Sequence, residues 1–305
     1  MIYDNIKIAA LGGDRRQLYT LLRLAAKGCK ISACGLDKAY FGASVPDTVS
    51  LKNEPGETLD GASVIILPFP ASADGVHINA PLDKEGTLTA FKLQSLLRLG
   101  ANDALIVGGK LPDTFVEAAQ DKGHKAFDLL KIEALEIKNA HITAEAAVSI
   151  AMNSLSRTLF GSKIAVTGFG RISKQLARLL SDLGAHVTVA ARKDSDLAFA
   201  ETLGYSTLKI GSNAFPSART SVYDVIYNTV PERILGRDFL EALDKSTLLF
   251  ELASAPGGFD ISAAQELGVN ISWALSLPGK YAPLSAGELI ADSIIQIISK
   301  EVAAI

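Results

Sequence analysis

The chain lacks the features that would tie it to an oxidising, basic or apolar environment. Of its 305 residues only two are cysteine, Cys29 and Cys34. Two are too few for a disulfide framework, and their place before and at the end of an apolar strand fits buried free thiols. The histidines His77, His124 and His186 are scattered without metal-ligand spacing, so no metal is expected. Thirty basic residues stand against 33 acidic ones, for a net charge of −3. No basic stripe or Lys/Arg run marks a nucleic-acid partner. No basic segment followed by an apolar core opens the sequence, and no apolar run reaches the length of a membrane span. The expectation is therefore a cytoplasmic protein with no membrane partner. Disorder is also excluded, because 48% of residues are hydrophobic and 21% charged.

What is present is an alternation of short β-branched runs and helical stretches. Ile6–Leu11 reads as a strand ending in Gly12-Gly13-Asp14-Arg15-Arg16, and Leu18, Leu21, Leu22 and Ala25 then share one helical face. Further strands are expected at Lys30–Cys34, Ser63–Leu67 and Ala104–Val107, with helices at Leu88–Leu99 and Phe115–Lys122. Thr143 is placed to cap a helix from Ala144 to about Leu159. Strands follow at Lys163, Asp224–Asn228, Thr247–Glu251 and Asn270–Ala274. A last helix runs from Leu284 to the end, with Ser285 and Glu288 spaced as a capping box. Such alternation implies mostly parallel sheets covered on both faces. The expected fold is α/β with two Rossmann-like domains. Residues 1–140 plus the helix at 284–305 form the first, and 141–283, opening on a linking helix, form the second. Trp273 reads as core.

The sharpest signal is Lys163-Ile-Ala-Val-Thr-Gly-Phe-Gly-Arg-Ile-Ser173. A strand ends in Gly168-x-Gly170 and a helix follows at once, the opening of a dinucleotide-binding unit. Gly168 allows the tight turn. Gly170 lets a pyrophosphate approach the backbone, with Arg171 and Ile172 wrapping it at the helix start. Ser173, a small residue, replaces the third glycine. The next strand, His186–Ala191, ends about 20 residues on, where an NAD site carries Asp or Glu. Here Ala190 and Ala191 are followed by Arg192 and Lys193. Two cations and no carboxylate favour NADP, with NAD possible. Ligands of open parallel sheets bind beyond the carboxyl ends of strands. Thr229, Val230, Pro231 and Ser254, at two such ends, are candidates for the nicotinamide ribose and carboxamide. Two sheets facing each other would set cofactor against substrate.

Several motifs together resemble one family: Leu-Gly-Gly-Asp-Arg-Arg (11–16), Thr-Ala-Glu-Ala-Ala (143–147), Val-Thr-Gly-Phe-Gly-Arg (166–171), Tyr-Asn-Thr-Val-Pro (227–231), Glu-Leu-Ala-Ser-Ala-Pro-Gly-Gly (251–258) and Leu-Pro-Gly-Lys-Tyr-Ala-Pro (277–283). In this order, over nearly the whole chain, they resemble the A subunit of dipicolinate synthase. The resemblance implies oxidation of dihydrodipicolinate to pyridine-2,6-dicarboxylate in sporulation, beside a second subunit resembling a flavoprotein. A homo-oligomer is also expected. His141-Ile142 precedes Thr143, and Ala146 stands where the family pattern has glycine.

A dicarboxylate substrate needs cationic clamps. Arg15 and Arg16, beside Gly13 and at a helix start, fit that need through bidentate forks. Glu145 and His141, flanking the start of the linking helix, are the candidate bases for the proton that leaves with the hydride. Two alternatives remain. One is a non-catalytic nucleotide-binding or regulatory subunit of a flavoprotein-containing complex. The other is a 2-hydroxyacid dehydrogenase-like enzyme, which is disfavoured because no histidine follows His186.

Overall fold

The computed structural model describes residues 6–42, 45–99, 103–211, 215 and 223–302. The chain divides into two compact units. One runs up to Lys138 and resumes at Ala282, and the other spans Asn139–Tyr281.

The first unit begins with β1 (Lys7–Leu11), α1 (Arg15–Ala25), β2 (Lys30–Cys34), β3 (Val49–Lys52), α2 (Pro55–Leu59) and β4 (Val64–Ile66). It continues with α3 (Leu96–Leu99), β5 (Leu105–Gly108), α4 (Asp113–Asp121) and β6 (Lys125–Asp128). Its strands form one parallel sheet in the order β3-β2-β1-β4-β5-β6. Residues of β1 alternate between two cores: Ile8 and Ala10 enter one, Ala9 and Leu11 the other. That period of two, buried on both sides, is what a covered parallel sheet requires.

The helix α5 (Glu133–Ser154) carries the chain into the second unit. There follow β7 (Lys163–Thr167), α6 (Arg171–Asp182), β8 (His186–Ala191), α7 (Asp194–Thr202), β9 (Ser206–Lys209) and β10 (Val225–Asn228). Then come α8 (Arg237–Glu241), β11 (Leu248–Glu251), α9 (Ile261–Leu267), β12 (Ile271–Trp273) and α10 (Leu277–Tyr281). The parallel sheet has the order β12-β11-β10-β7-β8-β9. Both sheets thus repeat the doubly wound order, reversing direction beside their first strand, and the fold is two Rossmann-like domains. Among the described residues no helix is long and apolar enough to cross a membrane.

The final helix, α11 (Pro283–Val302), returns to the first unit and lies against α1. Gly287 allows the two backbones to meet. A Cβ there would stand 2.6 Å from the Arg16 carbonyl oxygen and from the Tyr19 Cβ. The Thr20 hydroxyl donates to the Gly287 carbonyl at 3.0 Å. Ile290, Ile294 and Ile298 then complete the core beneath α1.

Three local expectations need correction, and three strands were not anticipated. Thr143 caps nothing: α5 starts ten residues earlier, and the Thr143 hydroxyl donates back to the Asn139 carbonyl at 2.9 Å, an arrangement that a helix interior accommodates. Ser285 likewise lies inside α11, which opens on Pro283, a residue suited to the first helical position. Of that helix, residues 303–305 lie outside the described residues. Leu88–Leu99 is not one helix. Its backbone at Phe91 and Leu93 bonds to Ile78 and Val76, leaving only a 3-10 turn at Leu93–Ser95 and the short α3. The strands β3, β6 and β9 went unread because each is a short, partly polar sheet edge, without the apolar run of a central strand.

Gly287→Ala should lower stability by about 1–3 kcal/mol, because backbone rather than a flexible side chain stands in the way. Gly56→Ala, where a Cβ meets nothing within 4 Å, serves as the control and should change stability by less than about 1 kcal/mol. Urea unfolding of both variants would test this, and equal midpoints would refute the close helix contact.

Candidate functional site

In the second unit the carboxyl ends of β7, β8, β10 and β11 build one continuous surface. The chain leaves β7 through Gly168 at φ 79°, where a Cβ would stand 3.0 Å from both Thr229 Oγ1 and Val230 Cγ2. Two requirements therefore fix glycine here, the left-handed turn and the close approach of the β10 loop. Gly170 is the N-cap of α6. No side chain caps that helix, and the space where a Cβ would lie is open. An uncapped helix start facing open space suits an anion. Arg171 is exposed there and Ile172 half-buried. The substituted third glycine has a definite part: Ser173 is buried and donates to Thr229 Oγ1 at 2.7 Å, while Thr229 donates to the Thr167 carbonyl at 2.7 Å.

A cleft of about 130 Å³ lies beside this turn, lined by Gly168, Ala191, Arg192, Lys193 and Val230 among others. The structure thus brings the turn, the two cations after β8 and the β10 loop together. Arg192 is half-exposed and paired with Glu232 at 2.8 Å, a carboxylate the sequence did not bring to notice. These residues fit a dinucleotide: an uncapped helix start for phosphates, and cations where a 2′-phosphate would lie. Pro231 and Ser254 are both exposed, and the Ser254 carbonyl accepts the Gly257 N–H at 3.0 Å.

Beneath the surface runs a buried polar chain. Thr167 Oγ1 donates to Asn228 Oδ1 at 2.6 Å, and Asn228 Nδ2 donates to Glu251 Oε1 at 2.7 Å. Glu251 also accepts the N–H groups of Ala253 at 2.9 Å and Gly258 at 2.7 Å. Burial pushes its carboxyl above the usual range, and the N–H donors of Gly258, Asn228 and Ala253 pull against that rise. A Cβ on Gly257 would stand 2.8 Å from Glu251 Oε2, and one on Gly258 2.5 Å from Asn228 Nδ2. The sequence signal for this cluster was a carboxylate ending an apolar strand shortly before a Gly-Gly pair. Trp273, expected in the core, is 40% exposed. It lies at the sheet edge, and its indole donates to the Ala253 carbonyl at 3.2 Å.

The candidate bases are not at the start of the linking helix. His141 and Glu145 lie well inside α5, one turn apart, with Nε2 and Oε1 3.3 Å from each other. His141 Nδ1 meets Gln175 Oε1 at 3.2 Å. Both side chains are exposed, so burial in an apolar cleft does not act on Glu145.

In the first unit the two arginines part company. Asp14 caps α1 by accepting the Arg16 N–H at 2.9 Å. The Arg16 guanidinium forks onto both Asp14 oxygens at 2.8–3.1 Å, donates to the Phe69 carbonyl and lies over the Phe69 ring. It is 5% exposed, which corrects its reading as a free clamp. The Gly13 N–H is also engaged, donating to the Asn79 carbonyl at 2.9 Å. Arg15 is exposed and has no ion-pair partner among the described residues. Among those residues no three His, Cys, Asp or Glu side chains come together as metal ligands.

Arg16→Lys should cost about 1–3 kcal/mol, since an ammonium cannot span the Asp14 fork and the Phe69 carbonyl together. Arg15→Ala should stay within about 0.5 kcal/mol of the parent. Chemical unfolding compares the two, and equal losses would sink the division of labour.

Comparison with known proteins agrees with the fold. Residues 7–130 match the N-terminal domain of the dipicolinate synthase A subunit. The dipicolinate synthase A subunit of Bacillus subtilis (strain 168) is 29% identical over 297 residues, covering 97% of this chain and 96% of that protein. The crystal structure of the corresponding Bacillus halodurans dipicolinate synthase subunit superposes with a TM-score of 0.84 at 24% identity, over 97% of this chain and 98% of that one. An L-alanine dehydrogenase shares the fold more distantly, with a TM-score of 0.61 at 16% identity over 98% of this chain and 90% of that one. Over both units, and not in the second alone, the chain is similar to the dipicolinate synthase A subunit.

Proposed function

We propose that this chain is a nicotinamide-dependent oxidoreductase subunit that converts dihydrodipicolinate to pyridine-2,6-dicarboxylate in the cytoplasm of a sporulating cell. It works as a homo-oligomer beside a flavoprotein-like second subunit. The observation that carries the reading is likeness to the dipicolinate synthase A subunit over 97% of the chain.

In this reading Gly168, Gly170, Arg171 and Ile172 hold the pyrophosphate at the start of α6. Thr229, Val230, Pro231 and Ser254 border the nicotinamide half. Arg192 and Lys193 take the 2′-phosphate, which makes NADP the preferred cofactor and leaves NAD possible. The bound nicotinamide supplies the hydride acceptor. The chain's own residues bind and orient the substrate and take its proton, and the aromatic product favours completion. Arg15 receives a substrate carboxylate beside the start of α1, through its exposed guanidinium. Arg16 and Gly13 shape that strand end through Phe69 and Asn79. His141 and Glu145 form a proton-accepting pair on α5.

The exposure of that pair favours a second reading, in which the chain holds the nucleotide and its partner subunit does the chemistry. An assay separates them: dihydrodipicolinate with NADP or NAD, followed by absorbance of the aromatic product, with and without the flavoprotein-like subunit. Turnover by the chain alone supports the first reading. Turnover only with the partner, undiminished when Glu145→Gln and His141→Gln are introduced, supports the second.

Neutralising Arg192 and Lys193 together should weaken NADP about ten- to a hundredfold and spare NAD. Glu232→Gln should act in the opposite direction and tighten NADP, because it frees Arg192 from a competing carboxylate. Titration calorimetry reads both, and a parallel loss of NAD and NADP affinity would remove the 2′-phosphate assignment. For the substrate side, Arg15→Lys should harm substrate affinity nearly as much as Arg15→Ala and leave cofactor affinity intact, as bidentate binding requires. Wild-type KM in both variants would take Arg15 out of the site.

A further inference from the structure

Glu251 is fully buried at the carboxyl end of β11, and every hydrogen-bond partner described above for it is a donor. A protonated carboxyl needs an acceptor for its own hydrogen, and neither the Asn228 amide nitrogen nor the Ala253 and Gly258 N–H groups can be one. The arrangement therefore holds a carboxylate. Among the described residues no Lys, Arg or His forms an ion pair with it. Among those residues its charge is met by N–H dipoles, and no ion-pairing cation cancels its field.

The place of that charge matters. The sheet reverses direction between β7 and β10, and a dinucleotide lies across such a reversal. The phosphate turn belongs to β7 and the Arg192–Lys193 pair to β8, which assigns the adenosine half to that side. The nicotinamide half is left to the ends of β10, β11 and β12, where Asn228, Glu251 and Trp273 stand. An oxidised nicotinamide ring is a cation and a reduced one is neutral.

We infer that the buried Glu251 carboxylate, while fixing the β10 and β11 loops through Asn228, Ala253 and Gly258, biases this chain toward the oxidised form of its cofactor. The inference rests on the nicotinamide reading above. The bias suits an enzyme that must load an oxidant and shed the reduced product. Glu251 acts here as a positioning and electrostatic residue that need not touch the reacting atoms.

The test is titration calorimetry on the full chain with the oxidised and reduced forms of NADP and of NAD, for the parent, Glu251→Gln and Glu251→Asp. The glutamine variant should loosen the loops and weaken both forms. On top of that, the preference for the oxidised form should fall about tenfold, the worth of one charge interaction through protein at an effective dielectric of about 20. The aspartate variant keeps the charge and should keep the preference, even where both affinities drop. An unchanged ratio in Glu251→Gln overturns the electrostatic role and leaves the nicotinamide reading standing. A parent chain that binds neither dinucleotide overturns that reading, and the inference with it. Should Glu251→Gln fail to fold, infrared spectra of the ¹³C-glutamate-labelled parent at neutral pH decide the matter. Ionised carboxylate bands alone support the inference, and a label-shifted protonated carbonyl band overturns it.

Discussion

The buried chain Thr167–Asn228–Glu251 is the constraint on which the strand-end surface of the second unit depends. It joins the carboxyl ends of β7, β10 and β11 through side chains that are each fully buried. Strand ends in a parallel sheet have no ladder partner beyond the last residue, so loops leaving them need other bonds. Here the side chains supply them: Asn228 holds the β10 loop through Val230, and Glu251 holds the β11 loop through Ala253 and Gly258. Removing the carboxylate would orphan several buried donors at once, at about 1–3 kcal/mol for each. The two glycines in the β11 loop follow from this network, because each packs where a Cβ would strike Glu251 or Asn228. The Gly168–Gly170 turn is coupled to the same network, since Thr229 bonds both Thr167 and the Ser173 hydroxyl of α6.

The first unit repeats the strand order and uses it differently. Its Gly12-Gly13 turn follows β1 as Gly168-Phe169-Gly170 follows β7. There the chain's own segment fills the place an anion would take. A Cβ on Gly12 would meet the Asn79 carbonyl oxygen at 2.8 Å, and the Gly13 N–H already donates to it. Arg16 closes the neighbouring strand end by binding Phe69. One topology thus yields an open glycine turn in one unit and a self-occupied turn in the other, which is why strand order alone does not assign a ligand.

The sequence made the central strands legible because they are apolar and β-branched, and the glycine turn legible because a left-handed φ and a close approach leave few alternatives. Edge strands such as Ser206–Lys209 carry no such signature, since one side of each has no neighbour. Capping motifs misled at Thr143 and Ser285. A hydroxyl that bonds its own preceding turn looks, in sequence, the same as one that starts a helix. Of the candidate site, the glycine turn and the two cations after β8, which the structure places along one cleft, could be read from spacing. The Glu251 network could not, because it pairs residues 61 and 23 positions apart that only the parallel register brings together. The Arg192–Glu232 pair depends on the same register.

The two adjacent arginines at the start of α1 have different surroundings. Arg16 is buried against the protein, and Arg15, about 100° round the helix axis, lies in solvent. Arg16 takes the inward direction, and its bonds to Asp14 and Phe69 are charge-assisted and mostly withdrawn from water. Freeing it for a ligand would leave Asp14 partly buried without its partner, a cost of the same order as the gain from a new carboxylate contact. Arg15 incurs no such cost. It already lies in solvent at the start of α1, so a carboxylate arriving there displaces water rather than protein bonds. The inward arginine builds the strand end, and the outward one is left free to meet an anion.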